Sequence, residues 1–268
     1  MEYEKYREIC DKVCMIAREA GQFMLDERST FSIDRVENKG VNDFVSYVDK
    51  NAEKIIVKGL TPLIDDAGFI TEEKTVTQSD NNKYTWIIDP LDGTTNYIHG
   101  FNPYAVSIGL TENGKLVLGV VYIADSKECF YAWKDSKAYL NGSEIKASGI
   151  DSISNSLVIS GFPHKVNQKI DNYLDIIKYL TFNSHGVRRV GSAAADLVYI
   201  ACGRAEAFFQ TDLNPWDVAA GAFIATRAGA VVTDFDGGDN YLFGNSLIAT
   251  GNAELNIEMK NLLKKHFS

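Results

Sequence analysis

The chain has 268 residues, 45% hydrophobic and 24% charged, so it can bury a sizeable core as one domain or as two packed halves. Lys and Arg number 27 against 36 Asp and Glu, a net charge of −9, which disfavours general contact with nucleic acid or an anionic membrane. The longest apolar run, residues 116–124, is too short to span a bilayer, and the charged N-terminus lacks a signal-peptide core. We therefore expect a cytoplasmic protein with neither a membrane nor a nucleic acid as partner.

The four cysteines are not spaced like a disulfide framework, which is typical of a protein in a reducing compartment. Cys10 and Cys14 lie four residues apart on a predicted helix. Two such thiols could contribute to a metal site, but the neighbouring sequence offers no Cys or His pair to complete it. We therefore predict that both thiols pack on one buried helical face.

The spacing of apolar residues predicts two helices followed by a series of strands. Helical periodicity covers residues 2–27 and about 51–64. Strand-like runs follow at residues 67–70, 86–88, 104–110, 116–123 and 129–133. Asn113-Gly114 and Asn141-Gly142 have the composition of tight hairpin turns, which indicates antiparallel neighbours.

Helices and strands alternate in the second half of the chain. Strands are predicted at residues 157–160, 205–209 and 230–233, and helices at 168–180, 192–202, 216–228 and 253–266. The sequence shows no low-complexity linker and no internal repeat. We predict a layered fold of mixed α+β and α/β character, a single domain over residues 1–268 whose two packed halves meet near residue 150.

The most informative segment is residues 86–96, Trp-Ile-Ile-Asp-Pro-Leu-Asp-Gly-Thr-Thr-Asn. An apolar strand leads to Asp89, and Pro90 is expected to stop the strand pairing there. Asp92 can then turn back toward the same end of the strand. The glycine and the two threonines that follow offer backbone N–H groups and hydroxyls. Such a segment suits metal ions with oxygen ligands and a phosphate together.

Other acidic residues fall at the ends of predicted elements. Glu72 and Glu73 follow a strand, Asp49 opens the second helix, and Asp217 begins a later one. Each has a simpler structural explanation when taken alone, since a carboxylate at a helix N-terminus stabilises the helix as a cap or through the dipole. The segment around Asp89 makes a functional explanation more favourable, because it indicates an end of the sheet where several acids could meet.

Several carboxylates in one place repel one another unless cations neutralise them. Mg²⁺ is the natural candidate, since it is bound by carboxylates, a backbone carbonyl and water, and paired ions can clamp a phosphoryl group. Backbone N–H groups at Gly93, Thr94 and Thr95 would suit phosphate oxygens. The residues themselves therefore predict a metal-dependent site for a phosphate ester.

Other common chemistries lack a motif in this chain. No Walker-type nucleotide loop is present, and no Ser-His-Asp or Cys-His pattern stands out. The four histidines are scattered, and ordinary surface or core positions explain them best: His99, His164, His185 and His266. A covalent mechanism has no candidate nucleophile in a suggestive setting.

Residues 86–96 and 213–221 together resemble the two signature segments of the inositol monophosphatase family, lithium-sensitive and Mg²⁺-dependent phosphatases of sugars and polyols. Lys39 with residues 43–49 is similar to an early segment of the family. Further matches are the hairpin at 139–142 and the turn at 189–194. The resemblance extends over nearly the whole chain. It implies an α/β/α/β/α sandwich, a homodimer and two or three Mg²⁺ ions per site.

The resemblance also assigns roles to residues of this chain. It implies that the metal ligands are Glu72, Asp89 and the Leu91 carbonyl for one ion, and Asp89, Asp92 and Asp217 for a second. Glu72 and Thr94 would orient the attacking water, and Asp49 would hold the Thr94 hydroxyl. The implied substrate contacts are Asp92, Gly93, Thr94, Gly191, Ala193, Gln210 and Asp217.

Two positions depart from the family pattern. The family usually has Gly-Glu-Glu at the first metal site, whereas this chain has Thr71 before Glu72. Inositol-preferring members carry a glutamate where this chain has Gln210, which lacks the charge. The polar loop at residues 74–85 is expected to border the site. These departures leave the preferred alcohol open.

The leading hypothesis is a Mg²⁺-dependent phosphate monoesterase, most nearly an inositol-1-monophosphatase. Histidinol phosphate, fructose 1,6-bisphosphate and a nucleotide 3′-phosphate are alternative substrates. Because bacterial members of the family can bind the transcription machinery, a protein- or RNA-interacting regulator with secondary phosphatase activity is an alternative function. A purely structural domain is the least favoured hypothesis, since it gives no reason to bring these carboxylates together.

Overall fold

The computed structural model describes residues 2–30, 36–40, 43–162 and 170–267. Helices in this part of the chain are α1 (Glu2–Arg28), α2 (Tyr47–Leu60), α3 (Thr94–His99), α4 (Ile170–Asn183), α5 (Ala193–Ala201), α6 (Pro215–Arg227) and α7 (Ala253–Phe267). Short 3₁₀ turns cover Thr61–Leu63 and Ile153–Asn155. Within the described ranges, no helix is long and apolar enough to cross a membrane.

The strands form three sheets. A two-stranded sheet pairs β1 (Val36–Gly40) with β2 (Asp43–Ser46). The large sheet contains β3 (Gly68–Thr71), β4 (Tyr84–Asp92), β5 (Ala105–Glu112), β6 (Lys115–Ile123), β7 (Glu128–Trp133), β8 (Ala138–Leu140) and β9 (Ser143–Ile145), in chain order. The third sheet contains β10 (Leu157–Ser160), β11 (Gly186–Arg188), β12 (Ala207–Thr211), β13 (Val231–Thr233) and β14 (Ser246–Thr250), in the order β11-β10-β12-β14-β13.

The large sheet is antiparallel except for the β3–β4 pair, and α1 and α2 cover one of its faces. Successive side chains of β4 point to opposite faces of the large sheet. Trp86 and Ile88 pack toward α1 and α2, whereas Ile87 packs toward the opposite layer. Residues 85–91 of β4 are all buried, because both faces of this strand are covered.

Helices α5 and α6 form the middle layer, between the large sheet and the third sheet. Gly109 and Gly119 are paired across β5 and β6, and together they allow α6 to come close. A Cβ added at Gly119 would lie 2.6 Å from the Ala220 carbonyl oxygen, and one at Gly109 would lie 2.9 Å from the Ala219 Cβ. This close approach holds the N-terminus of α6, with Asp217, over the large sheet.

The other face of the third sheet is covered by α4 and α7. Ala207 and Phe209 of β12 pack toward these helices, and Phe208 between them in sequence packs toward α5 and α6. The layer order is therefore α1/α2, large sheet, α5/α6, third sheet and α4/α7, which confirms the α/β/α/β/α sandwich. The apolar cluster around α5 and α6 combines residues from before and after position 150.

Most predicted elements have counterparts in the structure. The strand at 157–160 has the same bounds as β10, and Asn113 with Gly114 forms a turn of positive φ between β5 and β6. Cys10 and Cys14 are buried in the core beneath α1, as expected. Strands β1, β2, β8, β9, β11 and β14 and helix α3 had no predicted counterpart, although the hairpin turn predicted at Asn141-Gly142 joins β8 to β9. His164 and the predicted helix start at residues 168–169 lie outside the described residues.

The prediction that Pro90 ends the strand is wrong. Strand β4 continues to Asp92, and its pairing with β5 shifts register between Asp89 and Asp92. A β-bulge of this kind inserts extra residues on one strand and bends it, which tolerates a proline that donates no ladder hydrogen bond. The bulge brings both carboxylates to one end of the strand without breaking it.

Candidate active site

Five elements meet where β4 ends. Besides the strand itself, these are the first turn of α2, the start of α3, and the N-terminal ends of α5 and α6. Helix N-termini carry partial positive charge and leave backbone N–H groups without helical partners. The fold therefore assembles donors and favourable dipoles around a group of carboxylates.

Asp89, Asp92 and Asp217 form the centre of this group. One carboxylate oxygen of each lies within 4.8 Å of those of the other two. Asp89 is buried and the other two are half-buried. The half-buried Glu72, from the loop after β3, lies close enough to Asp89 for the two carboxyl groups to shift each other's pKa. The structure thus brings together the four acidic side chains that the resemblance names as metal ligands.

Backbone N–H groups hold these carboxylates in place. Asp89 Oδ1 accepts a hydrogen bond from the Leu91 N–H at 2.9 Å. Asp92 Oδ2 accepts from Ser192 Oγ and from the Ala194 N–H, both at 2.6 Å, at the beginning of α5. Three carboxylates are therefore each fixed on one side, since Asp217 has a similar anchor at α6.

Asp217 combines two roles that the sequence presents as alternatives. It is the third residue of α6, and its Oδ2 accepts from the Asn214 N–H at 2.7 Å in a capping box. The same side chain belongs to the carboxylate group. Helix capping therefore orients this acid toward the site and does not compete with a functional role.

The carboxyl groups raise one another's pKa. Burial, and then the charge of Glu72, raise the pKa of Asp89 well above its usual range. Burial and the charge of Asp217 do the same for Glu72. Burial raises the pKa of Asp92 to about 6, and burial with the charge of Asp92 raises that of Asp217 to about 7. Without a cation, this site therefore binds protons more readily than free carboxylates do.

Thr94 lies beside the carboxylates at the beginning of α3. Its hydroxyl is 3.0 Å from Asp49 Oδ1 and 3.1 Å from the Leu91 carbonyl oxygen, with geometry for donation to either. Asp49 is fully buried in the first turn of α2. Since α2 begins at Tyr47, Asp49 lies inside the helix and is not its N-cap. The contact predicted from the resemblance between Asp49 and Thr94 is present.

Two glycines allow the two halves of the chain to approach each other at the site. Gly93 has a φ of 92° and Gly191 a φ of 91°, a region that side chains disfavour. A Cβ on Gly93 would lie 3.3 Å from the Gly191 carbonyl oxygen. Asn96 joins the same segments, because its Nδ2 donates to the carbonyls of Pro103 at 2.8 Å and Val190 at 2.9 Å.

The remaining predicted substrate contacts lie on the side of the third sheet. Ala193 is the first residue of α5, next to the Ser192 and Ala194 groups that bind Asp92. Gln210 is buried on β12 and lies directly against Gly161, where an added Cβ would come within 1.9 Å of Gln210 Oε1. Its amide therefore lies between β12, which leads toward Asp217, and the residue that follows β10.

Sequence reasoning missed two residues that support the site. Asn96 ends the signature segment but was given no role, although it links both halves of the chain. Glu53 is fully buried on α2 and accepts hydrogen bonds from residues on both sides of Glu72. The available signal was a charged residue beside the apolar stripe of a predicted helix, one turn after Asp49.

The comparisons with known proteins agree with this architecture. A sequence model of the inositol monophosphatase family matches residues 5–266. The chain is 37% identical to Nus factor SuhB of Vibrio cholerae, over 87% of this chain and 88% of that one. It is 36% identical to inositol-1-monophosphatase of Mesorhizobium japonicum, over 87% of this chain and 88% of that one. The crystal structure of extragenic suppressor protein suhB from Bartonella henselae superposes with a TM-score of 0.90 at 34% identity, covering 96% of this chain and 99% of the other.

The chain therefore belongs to the inositol monophosphatase family, a family of Mg²⁺-dependent phosphatases. The donor set of this chain fits such a metal. Carboxylates held by backbone N–H groups, with the Leu91 carbonyl beside them, are the hard oxygen ligands that Mg²⁺ prefers. Burial and the neighbouring carboxylates raise their pKa values, so a bound cation would offset the cost of holding these negative charges together.

Proposed function

We propose that this protein hydrolyses small polyol or sugar phosphate monoesters with Mg²⁺, with inositol monophosphate as the first candidate substrate. The observation that carries the proposal is the group formed by Asp89, Asp92 and Asp217 with Glu72, next to the Thr94–Asp49 hydrogen bond. A structural domain would gain nothing from four mutually repelling carboxylates in one place. Glu72, Asp89, the Leu91 carbonyl, Asp92 and Asp217 would hold two or three ions, which when bound activate water and neutralise charge on the phosphate.

The residues of the chain would orient the reactants. Thr94 donates its proton toward Asp49, so its oxygen keeps a lone pair that can accept a hydrogen bond from the attacking water. Glu72 would accept the second hydrogen bond of that water. The backbone N–H groups of Gly93 and Thr94 would bind phosphate oxygens, and Asp92 with Ala193 would contact the alcohol. Water forms the new P–O bond, the ester P–O bond breaks, and the alcohol oxygen gains a proton.

A panel of phosphate esters tests the proposal. Inositol 1-phosphate, histidinol phosphate, fructose 1,6-bisphosphate and a nucleotide 3′-phosphate are compared by phosphate release, with Mg²⁺ and with a chelator. We expect Mg²⁺-dependent release from at least one ester and none with the chelator. Release that persists in chelator, or no release from any ester, would contradict the proposal.

Gln210→Glu tests whether the side chain at position 210 contacts the alcohol part of the substrate and so sets the preference among esters. We expect kcat/KM for inositol 1-phosphate to rise about tenfold relative to the other esters, because a charged acceptor strengthens a hydrogen bond to a ring hydroxyl by roughly 1.5 kcal/mol. The substitution keeps the shape that packs against Gly161. Gln22→Glu, on the exposed side of α1, is the matched control and should change no ratio. Equal ratios in both variants would place the specificity elsewhere.

A second role is favoured by one finding, the name Nus factor carried by the Vibrio cholerae relative. We propose contact with transcription machinery as this second role, with the phosphatase activity secondary to it. The net charge of −9 makes a nucleic acid an unfavourable general partner, so the absence of one stays a prediction. The homodimer and the cytoplasmic location implied earlier are proposals too, and sedimentation at several concentrations checks the first of these.

A further inference from the structure

Glu53 is a fully buried carboxylate outside the group of proposed metal ligands. Its Oε1 accepts from Thr71 Oγ1 at 2.9 Å, and from the N–H and hydroxyl of Thr75 at 2.6 and 2.8 Å. Its Oε2 accepts from the Glu73 N–H at 2.8 Å. A carboxylate can only accept hydrogen bonds, so four donors converging on one are well matched to its buried charge.

These bonds enclose Glu72 from both directions along the chain. Thr71 precedes it, and Glu73 and Thr75 follow it, yet all three are bound to the same carboxylate. The Glu72 N–H itself donates to the Ile88 carbonyl at 3.2 Å. The backbone on each side of Glu72 is therefore fixed relative to α2 and β4, which limits where its carboxyl group can lie.

The threonine that departs from the family pattern is part of this network. Thr71 is fully buried, and its hydroxyl donates to Glu53 and accepts from Gln78 Nε2 at 3.0 Å. Gln78 Oε1 also accepts from the Thr71 N–H at 2.7 Å. In this chain the side chain at position 71 thus adds anchors to the loop that carries Glu72.

Asp49 and Glu53 lie four residues apart on α2 and so point to the same side of the helix. Asp49 is hydrogen-bonded to Thr94, and Glu53 to the residues around Glu72. One helical turn therefore sets the relative positions of Thr94 and Glu72. These are the two groups proposed to orient the attacking water.

We propose that Glu53 is a positioning residue, which holds the Glu72 segment so that the metal site is preformed. This inference rests on the proposed function, because it assumes that Glu72 is a metal ligand. It assigns Glu53 no contact with substrate or metal. Its loss should therefore weaken metal binding and leave substrate binding by the other elements unchanged.

Glu53→Gln is the principal test. Glutamine has only one acceptor oxygen. Its amide NH₂ group must therefore face either the Glu73 N–H or the donors of Thr71 and Thr75, and the hydrogen bonds on that side are lost. We expect the Mg²⁺ concentration for half-maximal activity to rise about 10- to 100-fold, as for other groups that orient metal ligands. KM for the ester at saturating Mg²⁺ should stay within about twofold of the unaltered chain. The Mg²⁺ midpoint of thermal stabilisation, which needs no turnover, should shift by the same factor.

Glu112→Gln is the matched control. Glu112 accepts hydrogen bonds from the hydroxyls of Tyr6 and Tyr84, both at 2.9 Å, and lies 3.6 Å from Lys83 and Lys134. Glu112 is thus another glutamate with several hydrogen bonds, but it connects α1 to the C-terminal end of β5. Its replacement should lower the melting temperature and leave both Mg²⁺ midpoints unchanged.

A pair of threonine variants serves if Glu53→Gln does not fold. Thr71→Val keeps the shape and removes the hydroxyl, and should raise the Mg²⁺ midpoints; Thr71→Ser keeps the hydroxyl and should restore them. Unchanged midpoints in Glu53→Gln, or in Thr71→Val when the first variant is unfolded, would overturn the positioning role. Failure of the unaltered chain to respond to Mg²⁺ would instead overturn the proposed function.

Discussion

Asp89→Asn should reduce Mg²⁺-dependent phosphate release by more than about 100-fold. Groups that only orient metal ligands already contribute 10- to 100-fold, and Asp89 is the proposed bridge between two ions. The asparagine oxygen can still accept the Leu91 N–H, so the bulge at the end of β4 should survive. Phosphate release at saturating Mg²⁺ measures the effect, and circular dichroism checks the fold.

Asp234→Asn is the control for this variant. Asp234 also accepts backbone N–H groups, those of Asp236 at 3.0 Å and Gly238 at 2.7 Å, but it lies in a turn after β13. This change should leave turnover unaltered. Folded Asp89→Asn protein with normal turnover would contradict the assignment of Asp89 as a ligand. In cells, retention of a regulatory role by the inactive variant would favour the second proposed function.

Local sequence patterns predicted much of the fold because they report directly on burial. The alternation in β4 and the stripe along α1 each identify a buried face without knowledge of the partner. Strand β14 was missed even though it is buried between β12 and β13. Its five residues follow a segment rich in Asp, Asn and Gly, residues 234–245, whose turn signal the prediction did not use.

The candidate site was predictable for a different reason. Asp89 and Asp92 lie in one segment with a distinctive composition. Glu72 and Asp217 stood out as acids at the ends of predicted elements, and the resemblance to a family gave them roles as metal ligands. Pro90 was misread because the rule that proline ends a strand allows exceptions at bulges, which depend on the partner strand. Such partners cannot be read from the segment itself.

Glu53 and Thr71 show what local patterns cannot supply. Their hydrogen bond joins residues 18 positions apart, on a helix and a strand whose packing follows from the whole sheet. From the sequence, Thr71 is only a departure from a family pattern and Glu53 only a charge near an apolar stripe. In the folded chain both residues stabilise the segment that carries Glu72. Buried polar groups are normally hydrogen-bonded, and these two side chains are hydrogen-bonded to each other.

A common design connects the acids of the site. Asp92 is fixed at the start of α5, Asp217 at the start of α6, and Asp49 lies in the first turn of α2. Positive helix ends reduce the cost of gathering negative charge, but the raised pKa values show that they do not remove it. The remaining cost is the physical reason to expect a strong response to a divalent cation.

Removal of Mg²⁺ should therefore destabilise the folded protein as well as abolish turnover. Binding at one site at 100 times Kd adds about 2.7 kcal/mol to the free energy of unfolding. For a chain of this size each kcal/mol raises the melting temperature by roughly 2 °C, so we expect a rise of about 5 °C per saturated site. Differential scanning fluorimetry in chelator and across a Mg²⁺ titration measures this.

Simple screening would also stabilise crowded carboxylates, so the titration needs KCl at matched ionic strength. Specific binding predicts a saturable rise with Mg²⁺ that KCl does not reproduce. Asp89→Asn should lose most of this rise, because it removes a carboxylate of the proposed metal site. Equal curves for Mg²⁺ and KCl would mean that the carboxylates bind no metal specifically, and the proposed hydrolysis would lose its physical basis.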